Sequence, residues 1–237
     1  MHQLIHENYM FKNLLLLTSI FVTGIVSANQ GGLGLDVSRV IFNEEDSSVS
    51  FTAKNTSADI TALIKAWVED YYTGNKDMPF FITPPLTRID PGDNIQFRIN
   101  KISSLKTLPS DRESIFSINV LAIPPRKEKA YIQIALNTKI KLIYRPKHLN
   151  KKSDIDNVQN NIEVIKTTDA VLLKNPTPYY ATLKNVRINN ILTKEPAYVI
   201  KPYSDIKLSY INAKAVSFSI INDYGATSSP RVIKINN

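Results

Sequence analysis

The 237-residue chain contains no cysteine. Disulfides, thiolate metal sites, cysteine nucleophiles and thiol-linked lipids are therefore excluded, and stability must come from packing and hydrogen bonding alone. Histidine is nearly as scarce. His2 and His6 precede an N-terminal apolar segment, which leaves His148 alone in the rest of the chain. A zinc site built from several imidazoles is impossible there, and a Ser-His-Asp triad would have a single candidate base. No GxSxG elbow and no phosphate-binding glycine loop occurs. The sequence therefore predicts no enzyme chemistry, no metal and no cofactor. Long apolar runs are also absent beyond residue 28.

The one apolar run that does occur starts after Met10, in MFKNLLLLTSIFVTGIVSA. A single cation at Lys12, an apolar stretch from Leu14 to Val26 and small residues at Val26 and Ala28 have the form of a secretory signal peptide over residues 1–28. The stretch is too short for a confident membrane span. Translation could start at Met1 or Met10. The mature protein is expected to be exported, with no stable membrane insertion once the signal is cleaved.

The net charge is +8 with a pI near 9.4. The basic residues are dispersed, and the densest tract is RKEK at Arg126 to Lys129. Nucleic-acid binding, which favours a concentrated basic face, is not expected; attraction for acidic partners is.

Short β-rich runs fill the mature chain. In order they are LDVSRVIF (35–42), SVSFTAKN (48–55), ALIKAWVEDY (62–71), NIQFRI (94–99), SIFSINVLAI (114–123) and YIQIALNTKIKLIY (131–144), separated by turn signals such as TGNKD and DPGD. This spacing suits an immunoglobulin-like sandwich, with Trp67 expected in the core between its sheets. The polar stretch Arg145 to Asn161 reads as a linker without apolar rhythm. Beyond it IEVIKT, AVLLKN, YYATLKNVRIN, AYVIKPYSDIKLSY and VSFSIIND form a second strand set. The expected organisation is all-β: a signal peptide (1–28), an N-terminal immunoglobulin-like domain (29–147) and a C-terminal β-sandwich (148–237).

One segment asks for more. In IQIALNTKIKLIYRP, Ile132, Ile134 and Leu136 lie on one face of a strand, with Gln133 and Asn137 opposite and Lys139 and Lys141 following. From spacing alone the row could belong to the domain's own core or to an interaction surface.

Seven motifs in order, DVSRVIF, AWVED, TPPLTRIDPG, LPSDRESIFSINVLAIPPR, IQIALNTKIKLIYRP, NPTPYY and INDYG, give the chain a resemblance to the PapD-like periplasmic chaperones of pilus assembly. The resemblance implies two immunoglobulin-like domains in a boomerang arrangement. It also implies a function: binding pilus subunits in the periplasm by donor-strand complementation and delivering them to an outer-membrane usher. Ile132, Ile134 and Leu136 would then fill pockets in a subunit's open groove. Arg39 and Lys141 would anchor its C-terminal carboxylate, and Glu113, Arg145 and Asp223 would form an interdomain salt bridge. Strict alternation places Lys141 on the face opposite Ile132, so a bulge or strong twist between Leu136 and Lys141 is expected. The short loop before Tyr131 implies the short-loop class. The alternative is an exported structural pilus subunit or adhesin, which would be a single incomplete sandwich.

Overall fold

The structure is a computed structural model that describes residues 31–102, 108–126 and 134–235. The expected signal peptide and Ile132 lie outside the described residues. Among the described residues no helix is long and apolar enough to cross a membrane.

Among the described residues the first sandwich has nine strands: β1 (Leu33–Leu35), β2 (Arg39–Asn43), β3 (Ser48–Asn55), β4 (Ala62–Asp70), β5 (Phe80–Thr83), β6 (Leu86–Ile89), β7 (Asn94–Lys101), β8 (Ser114–Ile123) and β9 (Leu136–Arg145). They form two sheets, ordered β1-β3-β7-β5 and β2-β9-β8-β4-β6. Period-two patterning explains the layering. In β7, Phe97 and Ile99 are buried while Gln96 and Arg98 are not. Opposite Phe97 on β3, Phe51 stacks at 5.3 Å between ring centroids. Each such fully buried aromatic contributes roughly 1.5 to 3 kcal/mol.

The second sandwich comprises β10 (Glu163–Lys166), β11 (Ala170–Asn175), β12 (Ala181–Ile188), β13 (Ile191–Leu192), β14 (Ala197–Ile200), β15 (Ser204–Ser209), β16 (Ala215–Ile220) and β17 (Arg231–Lys234). One sheet is β10-β11-β15, and the other is β13-β12-β16-β17 with β14 also on β12. Leu173, Leu183 and Phe218 are fully buried between them. Two immunoglobulin-like β-sandwiches are thus the architecture.

Three expectations need correction. Trp67 is not in the core: Ile64, Ala66 and Val68 face inward, and Trp67 lies half-buried on the outer face with Lys65 and Glu69, donating Nε1–H to Glu69 Oε2 at 3.0 Å. Strand parity decides this, because Trp67 shares the face of its charged neighbours. The 145–161 segment is not an irregular linker. It holds a 3-10 turn (Lys147–Leu149) and short helices at Lys152–Asp156 and Val158–Asn161, and it buries Leu149 and Val158 in the second core.

The third correction concerns LDVSRVIF, which is two strands in two sheets. Leu35 ends β1 against β3. Asp36 then fixes the turn, donating its N–H to Thr52 O (3.1 Å) and accepting the Thr52 N–H on Oδ1 (2.8 Å). The chain crosses to the other sheet, where β2 pairs in parallel with β9 from Arg39 opposite Lys141 to Asn43 opposite Arg145.

Candidate functional site

The crossing at Asp36–Ser38 has a direct consequence for β9. Its inner edge pairs with β8 along Leu136–Tyr144, but β2 covers its other edge only from Lys141 onward. From Leu136 to Ile140, no described strand pairs with that edge, so a run of backbone donors and acceptors faces outward. Ile134 and Leu136, just before and at the start of β9, are 68% and 67% exposed. They share parity with Ile140, Leu142 and Tyr144, which are buried in the first core. The apolar row therefore continues the plane of the core beyond the point where the protein's own sandwich ends.

Lys141 does lie on the opposite face, but no bulge puts it there. The register of β8 with β9 is unbroken from Leu136–Ala122 to Tyr144–Ser114. Simple alternation is enough, because Lys141 and Arg39 belong to the outer face of this sheet and the apolar row to its inner face. The expected bulge or twist between Leu136 and Lys141 is corrected accordingly.

On that outer face the cross-strand row runs Glu69, Ser117, Lys141, Arg39. Arg39 is almost wholly buried and donates Nη1–H to Ile221 O of the second sandwich at 3.0 Å. Its Nε–H has no hydrogen-bond partner among the described residues. Burial lowers its pKa, opposed by the charges of Asp223 and Glu113. The Lys141 ammonium lies 5.9 Å from the Tyr71 ring centroid and is likewise pushed down, first by burial and then by Arg39. A buried cation beside a half-buried one leaves an electrostatic deficit that a carboxylate would fill with charge-assisted hydrogen bonds. Lys139 plays a different part: it pairs with the buried Glu69 at 2.6 Å, which holds the Glu69 carboxyl below its usual range.

Glu113, Arg145 and Asp223 converge. Arg145 donates Nε–H to Glu113 Oε1 at 2.7 Å and both terminal nitrogens to Asp223, at 2.7 and 3.0 Å. The second Glu113 oxygen accepts the Tyr180 N–H at 2.7 Å. Burial would lower the Arg145 pKa, but Asp223 and Glu113 outweigh it and raise it; Glu113 is pushed up to about 7 by burial despite its partner. The network joins β8 and β9 of the first sandwich to the NPTPYY and INDYG turns of the second. Sequence reading missed the backbone partners, Ile221 O and Tyr180 N–H, since main-chain groups leave no compositional mark.

Family models match both sandwiches: the pili and flagellar-assembly chaperone PapD N-terminal domain over residues 32–150, and the pili assembly chaperone PapD C-terminal domain over residues 157–232. The chain belongs to the pilus-assembly chaperone family. It is a family of chaperones and not of enzymes, and a lone pilus subunit would not match both halves. Among curated relatives, the probable fimbrial chaperone YfcS of Escherichia coli K12 is 35% identical over 195 residues, covering 81% of this chain and 78% of the relative. The chaperone protein PapD of Escherichia coli is 32% identical over 210 residues, 85% and 86% of the two chains. Among solved structures, the periplasmic chaperone SfaE superposes with a TM-score of 0.74 at 30% identity, over 85% of this chain and 98% of that one.

Proposed function

We propose that this pilus-assembly chaperone works in the periplasm, where it lends the open edge of β9 to an incomplete pilus subunit. Ile134 and Leu136, with Ile132, enter the subunit's groove, while Arg39 and Lys141 hold its C-terminal carboxylate. The subunit is then passed to an outer-membrane usher. Residues 1–28 direct export and are then cleaved, leaving an N-terminal domain at 29–147 and a C-terminal domain at 148–237.

One observation carries this reading: a strand edge that no described strand covers, flanked by exposed apolar side chains, runs directly into the half-buried Lys141 and the buried Arg39, which lack a carboxylate salt-bridge partner among the described residues. A subunit missing a strand needs backbone partners and apolar plugs, and its terminal carboxylate supplies the missing charge. The Glu113–Arg145–Asp223 network supports the geometry by tying the second sandwich to β9 beside the anchor.

The test is a titration with a strand-forming peptide of alternating Thr and Val, prepared as free acid and as amide, against wild type and Lys141→Met. Charge-assisted hydrogen bonds contribute about 1.5 to 3 kcal/mol each, so amidation is expected to weaken wild-type binding by about tenfold or more. Lys141→Met should lose most of that preference while the edge still supports residual binding. An equal amidation penalty in both proteins would move the carboxylate site away from Lys141.

A further inference from the structure

The turn that receives Arg39 carries an aromatic side chain that the carboxylate site does not use. Around Tyr224 the neighbours are committed either to the joint between the sandwiches or to the turn itself. Ile221 O accepts the Arg39 guanidinium, and Asp223 accepts two N–H groups of Arg145. Asn222 Oδ1 accepts the backbone N–H groups of Tyr224 (3.1 Å) and Ala226 (2.9 Å), and Gly225 N–H bonds back to Asn222 O at 3.0 Å. Gly225 has a φ of 83° and approaches so closely that a Cβ there would collide with the Ser38 hydroxyl. The turn is thus held on both sides. Tyr224 itself is 91% exposed.

A lone exposed tyrosine is ordinary; the position of this one is not. The uncovered edge of β9 runs from Leu136 to Ile140 and ends at Lys141, whose partner is Arg39. Ser38, the residue before Arg39, is the one Gly225 abuts. A strand laid along the open edge toward Lys141 therefore finishes beside the Tyr224 turn. Tyr224 and Arg39 also line one cavity of about 370 Å³ between the sandwiches, with Lys152 and Ile155 on its wall.

We propose that Tyr224 packs against the last side chain of the bound pilus subunit while Arg39 and Lys141 hold that residue's carboxylate, an inference that rests on the carboxylate reading above. A tyrosine on a braced turn suits this task, offering a large amphipathic face with few torsions to freeze and no backbone left to order. It makes the chaperone selective for the identity of the terminal residue as well as for its charge. A subunit ending in a large apolar side chain is favoured over one ending in glycine.

The test uses the full chain and the alternating Thr and Val peptide, long enough to run from Leu136 to Lys141 and ending in either Leu or Gly, each as free acid and as amide. Tyr224 contributes almost nothing to the protein's own packing, so Tyr224→Ala is expected to fold with unchanged circular dichroism and melting. It should weaken binding of the Leu-ended acid by about fivefold to tenfold and of the Gly-ended acid by less than about twofold. Tyr224→Phe should restore most of the loss. Equal effects of Tyr224→Ala on both peptides, or none, would overturn the inference. The amide arms keep the two claims separate: a wild-type amidation penalty with no Tyr224 effect sinks this inference alone. Absence of that penalty, or of any wild-type binding, sinks the carboxylate reading and this one with it.

Discussion

Glu113 and Arg145 meet at 2.7 Å with their side chains only 1% and 4% exposed, yet Glu113 holds its proton more tightly than a free glutamate. Desolvation outweighs the attraction of one guanidinium that Asp223 also shares. Because the folded pKa, about 7, is raised above the ordinary 4.5, this group's contribution to stability is complete below pH 4.5 and is lost as pH rises to about 7. Glu69 and Asp70, whose pKa values are lowered, contribute with the opposite sign at lower pH. The expected result is that Glu113→Gln flattens the pH dependence between about 4.5 and 7, a change on the order of 3 kcal/mol. Thermal melts of both proteins across that range check it; parallel curves would mean Glu113 titrates as an ordinary carboxylate.

Removing Arg145 leaves two acids without their shared cation, one of them fully buried. Arg145→Ala should cost roughly 3 to 5 kcal/mol, the usual range for breaking a buried pair from one side. It should also loosen the second sandwich relative to the first. Adding Glu113→Gln to it should recover part of the stability but not the orientation. Denaturant unfolding and small-angle scattering separate the two effects, and an unchanged scattering profile for Arg145→Ala would assign the orientation to other contacts.

Leu136 is two-thirds exposed, so Leu136→Asp should leave folding intact, with a melting temperature within about 2 °C of wild type. Protection of a pilus subunit from aggregation should nevertheless be lost, because a carboxylate driven into an apolar groove without a partner costs several kcal/mol, roughly. Light scattering of a refolding subunit in the presence of each chaperone reads this directly. Full protection by Leu136→Asp would remove the side chain from the contact.

Trp67 is the only tryptophan in the chain, and it offers a clean probe. The ammoniums of Lys65 and Lys76 lie 5.8 and 5.5 Å from its ring centroid, which concentrates anions around an accessible indole. Iodide should quench its fluorescence more strongly than caesium at equal ionic strength. Emission resistant to both ions would return Trp67 to the core.

Much of this molecule was legible in the chain. The bounds of β3 and β8 coincide with the runs SVSFTAKN and SIFSINVLAI because alternation and turn residues mark both ends. Trp67 is misplaced by fold analogy: immunoglobulin-like sandwiches bury a tryptophan on this strand, although Lys65 and Glu69 two residues either side already fix its face here. The division of LDVSRVIF was hidden because the run is short and rich in strand-forming residues throughout: its core-facing positions shift parity from Leu35 and Val37 to Val40 and Phe42, and the tertiary bonds of Asp36 mark the crossing. Glu113, Arg145 and Asp223 carry no periodic signal, being 32 and 78 residues apart along their two links, so only family resemblance could group them.

The bond from Arg39 to Ile221 O spans 182 residues. On the proposed reading it makes the anchor a late event in folding: a chain with only its first sandwich formed would carry the strand edge without the braced guanidinium. During that interval it would offer the exposed apolar edge without the proposed carboxylate anchor. If Arg39 and Lys141 hold the subunit's terminus as proposed, selectivity for a finished subunit, one whose own last residue has arrived, is thereby withheld until the helper has finished folding too.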